Sequence, residues 1–258
     1  MPSEIESLLR KLMFWMGTAL ERGIHAAKRA RMQMDTRGGI KPVLSIESQL
    51  PPDFFMKLIS ASEEKILRTT VPHLQDKQAL EISGGESLFL SHLLHRGARR
   101  VLAVESPRLM GTRIQSDGIR GLIVKGEATA LPIPSASVDY VVARFTSQGM
   151  GDLSVALKNV SRVLVAGGQG VVVDFHPYGR IAKPDAQRTK AFQSGARALE
   201  DYYKLCREVG LRVVDLREAF LGDDLRKHFS EREIPVYRQL KGNPLLVFLY
   251  LYKAKANV

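Results

Sequence analysis

The sequence predicts an α/β fold: a mostly parallel sheet with helices on both faces. Two observations carry that expectation. Short apolar runs alternate with stretches of helical spacing from Ala79 to Phe175, the pattern of strands joined by crossover helices. Within it, Ala79–Val104 (ALEISGGESLFLSHLLHRGARRVLAV) reads as strand, small-residue turn, helix and strand, and Glu105 follows directly. Such a unit sets a loop and a helix N-terminus at the carboxyl end of its first strand. It sets an acid at the end of its second strand, about twenty residues on, within reach of a ribose. A nucleoside-containing cofactor is expected from these residues alone.

Each element has a local signal. Ser3 and Glu6 have capping-box spacing. Ile5, Leu8, Leu9, Leu12, Met16, Leu20 and Ile24 then recur at three- and four-residue steps, predicting a basic amphipathic helix over residues 2–31. That helix reads as a peripheral membrane or partner contact through residues 3–31, or as a lid beside the cofactor cleft; the lid is preferred. Gly38-Gly39 and Pro42 break it, and Pro51-Pro52-Asp53 opens a second helix whose apolar face is Phe55, Leu58, Ile59, Ile66 and Leu67. Residues 1–75 are thus expected as an N-terminal helical cap and 76–258 as the cofactor-binding domain.

In that domain the strand Ala79–Ile82 stops at Ser83-Gly84-Gly85. Leu90, Leu93 and Leu94 mark a helix closed by Gly97, and Arg100–Val104 is the second strand. A short helical stretch (Arg108–Asp117) and strands at Gly121–Lys125 and Ser137–Phe145 follow, then a helix over Leu153–Val165. Ala166-Gly167-Gly168 reads as a tight turn before a strand at Gly170–Phe175. A helix over Ala196–Val209 ends at Gly210, and Leu211–Phe220 and Leu245–Lys253 are two long β-rich runs.

The 258 residues, 45% apolar and 25% charged, suit one large α/β domain with an added segment or two small domains. A net charge of +11, spread along the chain, implies affinity for something acidic without naming it. The single cysteine, Cys206, excludes an intrachain disulfide framework and favours a reducing, cytoplasmic setting; its helical context predicts a small buried hydrophobe. No stretch is long and apolar enough to span a bilayer, and Glu4, Glu6 and Arg10-Lys11 argue against a secretory signal.

Glu81 through Pro177 resembles the class I S-adenosylmethionine-dependent methyltransferases, of the type similar to ubiquinone/menaquinone-biosynthesis and other small-molecule methyltransferases. LEISGGES stands where the family has its acid-x-Gly-x-Gly-x-Gly turn, and Glu105 ends the second strand. GEATALPIPSASVDYVVARF resembles the family's Gly-Asp-Ala-x-x-Leu-Pro segment and fourth strand, and RVLVAGGQGVVVDFHP its Gly-Gly turn and fifth strand. The ordered series is more specific than any one motif.

The resemblance implies a Rossmann-like doubly wound seven-stranded sheet whose last strand is antiparallel, with S-adenosylmethionine as cofactor. It implies that Glu81, Ser83, Gly84 and Gly85 shape the turn that passes the cofactor's methionine part. Glu105 takes the ribose hydroxyls, Ser106 is a further cofactor contact, Met110 packs on the adenine, and Glu127 and Ala128 lie at the adenine edge. Arg144 and Phe145 line the cleft near the methyl donor. Three departures stand out: Ser83 and Ser87 replace the first and third glycines of the turn, Glu127 replaces an aspartate, and Ser106-Pro107 follows Glu105 early.

The expected function is methyl transfer to a small molecule, for which an anionic acceptor suits the charge. Alternatives are an RNA or protein methyltransferase, which the charge allows but no added RNA-binding module supports, and a non-catalytic cofactor-binding protein with a degenerate turn. His176, after the fifth strand, is the candidate catalytic base, weighed equally against a structural histidine. Tyr178 and Arg144 are weaker candidates. His92 and His95 sit three apart on a helix without an acid or cysteine partner, so no metal site is expected. The residues leave the oligomeric state open.

Overall fold

Seven strands form one mixed sheet in the order β3-β2-β1-β4-β5-β7-β6. The computed structural model of the chain describes residues 46–83, 89–106, 121–146, 151–177 and 198–255. The chain divides into two compact units, Met1–Val43 and Leu44–Val258, and every described residue belongs to the second. The expected helix over residues 2–31 and the stretch Arg108–Asp117 lie outside the described residues.

The strands are β1 (Gln78–Ser83), β2 (Arg100–Glu105), β3 (Gly121–Lys125), β4 (Val138–Arg144), β5 (Leu164–Phe175), β6 (Leu211–Phe220) and β7 (Pro244–Lys253). Strands β1 to β5 pair in parallel. Strand β7 runs antiparallel to both β5 and β6, which is the reversed closing strand expected. The first four parallel strands are apolar on both faces, as strands covered on both sides must be.

Six α-helices are described: α1 (Ile46–Gln49), α2 (Pro52–Thr70), α3 (Leu90–His95), α4 (Leu153–Val163), α5 (Leu199–Glu208) and α6 (Ile234–Leu240). Helix α2 begins with proline at its first turn and Asp53 beside it, both favourable at a helix N-terminus. It buries Phe55, Leu58, Ile59 and Leu67 in a cluster with α3, α6 and one face of the sheet. Helices α4 and α5 cover the other face, packing on Leu80, Ile82, Val141, Ala143 and Val247. The expected cap boundary at residue 75 therefore has a helix on its N-terminal side, α2, that shares the sheet's core.

One strand departs from its sequence reading. Ala166-Gly167-Gly168 does not separate a helix from a strand; it is an irregularity inside β5. Pairing with β4 steps from Val138–Leu164 to Tyr140–Gln169, so β5 takes up the extra residues. Gly167 sits at φ +83, a conformation that disfavours a side chain. Cys206 is buried on α5, as expected, and burial pushes its thiol up to about 12.

Candidate cofactor-binding site

Because β1 to β5 are parallel, their carboxyl ends share one edge of the sheet. Ser83, Glu105, Lys125, Arg144 and Phe175 end those strands, and sequence-remote groups meet there.

Ser83 and Glu105 are register partners on β1 and β2, and paired residues of parallel strands present their side chains on the same face. Both are buried, at 2% and 4% exposure. Yet Ser83 Oγ and Glu105 Oε1 each lack a hydrogen-bond partner among the described residues. A buried polar atom left unpaired costs roughly 1–3 kcal/mol. Burial pushes the Glu105 carboxyl above the usual carboxylate range. Ser106, next in the chain, is also buried.

The loop after β3 closes against this edge. Gly126 donates its backbone N–H to the Glu105 carbonyl at 3.0 Å, and Ala130 donates to the Glu127 carbonyl at 2.9 Å. A Cβ on Gly126 would meet Pro132 Cδ at 2.6 Å, so the tight approach needs glycine. Ala128 is buried and Glu127 is exposed. From α4, Arg162 donates to the carbonyls of Ile133 and Leu131 at 2.7 and 2.8 Å, and Asn159 to that of Thr129 at 2.8 Å. Arg162→Met is expected to loosen this loop and weaken cofactor binding about three- to tenfold, through lost charge-assisted bonds; calorimetric titration of the variant checks this.

Arg144 is turned into a buried ion-pair network. Its Nε and Nη2 donate to Glu63 Oε2 of α2 at 3.1 and 2.7 Å, and Nη1 lies 3.9 Å from Glu81 Oε1. Glu63 also accepts from the Thr146 hydroxyl. Glu81 accepts from the Phe89 backbone at 3.3 Å, and the guanidinium stands 5.8 Å from the centre of the Phe89 ring. Glu81 and Arg144 thus brace the residues on either side of the turn that joins β1 to α3. Phe145 is buried and donates its N–H to the Val173 carbonyl.

Glu63 is the residue that sequence reasoning missed. The signal existed: Ile59, Glu63 and Leu67 are spaced four apart, which puts an acid on the apolar stripe of α2. An acid there needs a buried partner.

His176 is 1% exposed, and its Nε2 lies 2.6 Å from Glu218 Oε1 on β6. Its ring is 6.4 Å from that of Phe220, and its N–H donates to the Leu245 carbonyl. The ring therefore reaches toward β6, on the far side of β7 from β4. Asp174 accepts from Tyr202 of α5 at 2.7 Å and from the Phe175 backbone. His95 contacts the Ser91 carbonyl within its own helix, and the His92 ring packs edge-on to Phe89. Gly84, Gly85, Ser87, Met110 and Tyr178 lie outside the described residues.

The sheet order, a buried acid ending β2 and a polar turn ending β1 define the class: a Rossmann-like fold of the methyltransferase type. Residues 80–172 match the methyltransferase domain family. Over this region the chain is similar to the class I S-adenosylmethionine-dependent methyltransferases. It is 29% identical over 174 residues to the ubiquinone/menaquinone biosynthesis C-methyltransferase UbiE of Nitrosospira multiformis, covering 64% of this chain and 66% of that protein. It is 30% identical over 129 residues to the demethylmenaquinone methyltransferase of Thermus thermophilus, covering 46% and 59%. The matches span less than two thirds of these relatives' lengths. The fold is similar to that of an S-adenosylmethionine-dependent methyltransferase from Mesorhizobium loti, with a TM-score of 0.59, 16% identity, and 76% and 99% of the two chains covered.

The residues fit S-adenosylmethionine. A ribose presents two adjacent O–H donors, and Glu105 offers a buried acceptor oxygen without a partner among the described residues.

Proposed function

We propose that the protein is an S-adenosylmethionine-dependent methyltransferase acting on a small molecule. The observation that carries this is Glu105 Oε1, buried without a partner among the described residues at the carboxyl end of β2, in register with Ser83. Bound there, S-adenosylmethionine supplies a sulfonium methyl group. The chain's own work is to hold donor and acceptor in line and exclude water. Glu105 accepts the ribose hydroxyls, the Gly126–Pro132 loop closes on the adenine side with Glu127 at its edge, and the Arg144 network ties Glu81 of β1 to Phe89 at the head of α3. Gly84, Gly85, Ser106, Met110 and Phe145 complete the proposed cofactor contacts.

Two relatives are named for methyl transfer in ubiquinone or menaquinone biosynthesis, so a quinone-type molecule is the first acceptor to test. The net charge of +11 supports an anionic one as well. A cytoplasmic setting belongs to the proposal and is supported by the lone Cys206. Among the described residues no helix is long and apolar enough to cross a membrane.

His176 is the proposed base, with Glu218 holding its ring. His176→Ala should slow turnover by about a hundredfold or more while leaving cofactor affinity unchanged, as a proton-transfer role requires. Equal turnover would assign the histidine to the scaffold. The proposal as a whole is tested by calorimetric titration with S-adenosylmethionine and S-adenosylhomocysteine, followed by methyl transfer to candidate quinones. Micromolar binding without turnover on any acceptor would favour a cofactor-binding protein over an enzyme, and salt-sensitive nucleic-acid binding would favour RNA as acceptor.

A further inference from the structure

We infer that the Ser83 hydroxyl is a direct hydrogen-bonding contact to the ribonucleoside, acting with Glu105 on the same ribose. The inference rests on the cofactor reading above and deepens it. The family pattern has glycine at this position, which offers no side chain at all, so the contact belongs to this chain.

Ser83 stands across the β1–β2 ladder from Glu105, one strand spacing away, with both side chains on one face. The hydroxyl is able to donate or accept, and an acceptor, Glu105 Oε1, is its register neighbour. The two nonetheless do not bond each other: both atoms are buried and unpartnered among the described residues. Two adjacent, buried, unsatisfied polar atoms are rare in folded chains and call for a polar third party. A vicinal diol satisfies both at once, donating to the carboxylate and exchanging a bond with the hydroxyl. A serine kept for folding would have bonded a backbone carbonyl, as Ser62 does to Leu58 and Ser161 to Val209.

The test is calorimetric titration of the full chain with S-adenosylhomocysteine and with methylthioadenosine, which keeps the ribose but lacks the amino-acid end. Wild type, the single variants Ser83→Ala and Ser83→Gly, and the Ser83→Ala/Glu105→Gln double variant are compared, with Glu105→Gln and Glu105→Ala as references. Loss of one neutral hydrogen bond predicts binding weaker by about 3- to 12-fold in both single variants. The loss should persist with methylthioadenosine and shrink in the Glu105→Gln background. The unliganded Ser83→Ala protein should melt no lower than wild type, because the substitution removes an unpaired buried hydroxyl; a structural serine would lower it. Wild-type affinity in both single variants, with Glu105→Ala still impaired, overturns this inference alone. A loss seen only with S-adenosylhomocysteine moves the contact off the ribose and overturns it too. If the wild type binds neither ligand, the cofactor reading falls and takes this inference with it.

Discussion

Glu105→Ala is expected to weaken binding of S-adenosylmethionine and S-adenosylhomocysteine by about a hundredfold or more. The magnitude follows from two charge-assisted hydrogen bonds to ribose hydroxyls, each contributing about 1.5–3 kcal/mol. Glu105→Gln keeps the shape and one acceptor oxygen but loses the charge, so its affinity should fall between those of wild type and alanine. Titration calorimetry reads both; an alanine variant that binds like wild type would remove the carboxylate from the site. The pH dependence adds a second arm. Burial raises the Glu105 pKa in the unliganded protein. Ribose binding favours the charged form, so affinity should rise as pH climbs from the ordinary carboxylate range through the raised value. The unliganded fold should respond in the opposite sense. A carboxyl whose pKa is raised by folding adds stability at low pH and loses it as pH rises through the folded pKa. Glu105→Gln should flatten both trends, and thermal melts across that window with and without ligand separate them.

What the sequence made legible here is what periodicity and punctuation encode. Glu105 was visible because an apolar run ends on it at a fixed distance from a small-residue turn, and the strand–helix alternation predicted the parallel sheet. Gly97 and Gly210 closed their helices in the expected conformation, at φ +91 and +76. What stayed hidden depends on contacts between distant residues. Arg144 reads as an available cation at a strand end, but its partner Glu63 is 81 residues earlier. His176 reads as a free base beside a proline, but Glu218, 42 residues later, meets its ring. Ser83 reads as a small turn residue, and only burial without a partner marks its hydroxyl as aimed at something else. The irregularity in β5 reads as a turn because its glycines carry the same local signal in either setting.

The Glu63–Arg144 pair supports the second large effect. Both side chains are almost fully buried, at 1% and 5% exposure, so removing one partner leaves the other charged and desolvated. Glu63→Ala should destabilise the protein by about 3–5 kcal/mol. For a unit of this size that lowers the melting temperature by about 6–20 °C. Arg144→Met should do at least as much, since it removes the cation that faces both Glu63 and Glu81. The double variant Glu63→Leu/Arg144→Met removes both charges of the closest pair. Its destabilisation should fall well below the sum of the single variants, because a buried ion pair often exchanges for apolar side chains at little net cost. A double variant as unstable as that sum would mean that the pair is not the coupled unit. The functional consequence follows from where the network ends. Glu81 holds the Phe89 backbone and Arg144 stands over the Phe89 ring. An apolar core restored at Glu63 and Arg144 would therefore return stability without returning the brace on that turn. Cofactor affinity should stay reduced in the double variant even where its melting temperature recovers. Recovery of both together would make the network part of the scaffold alone.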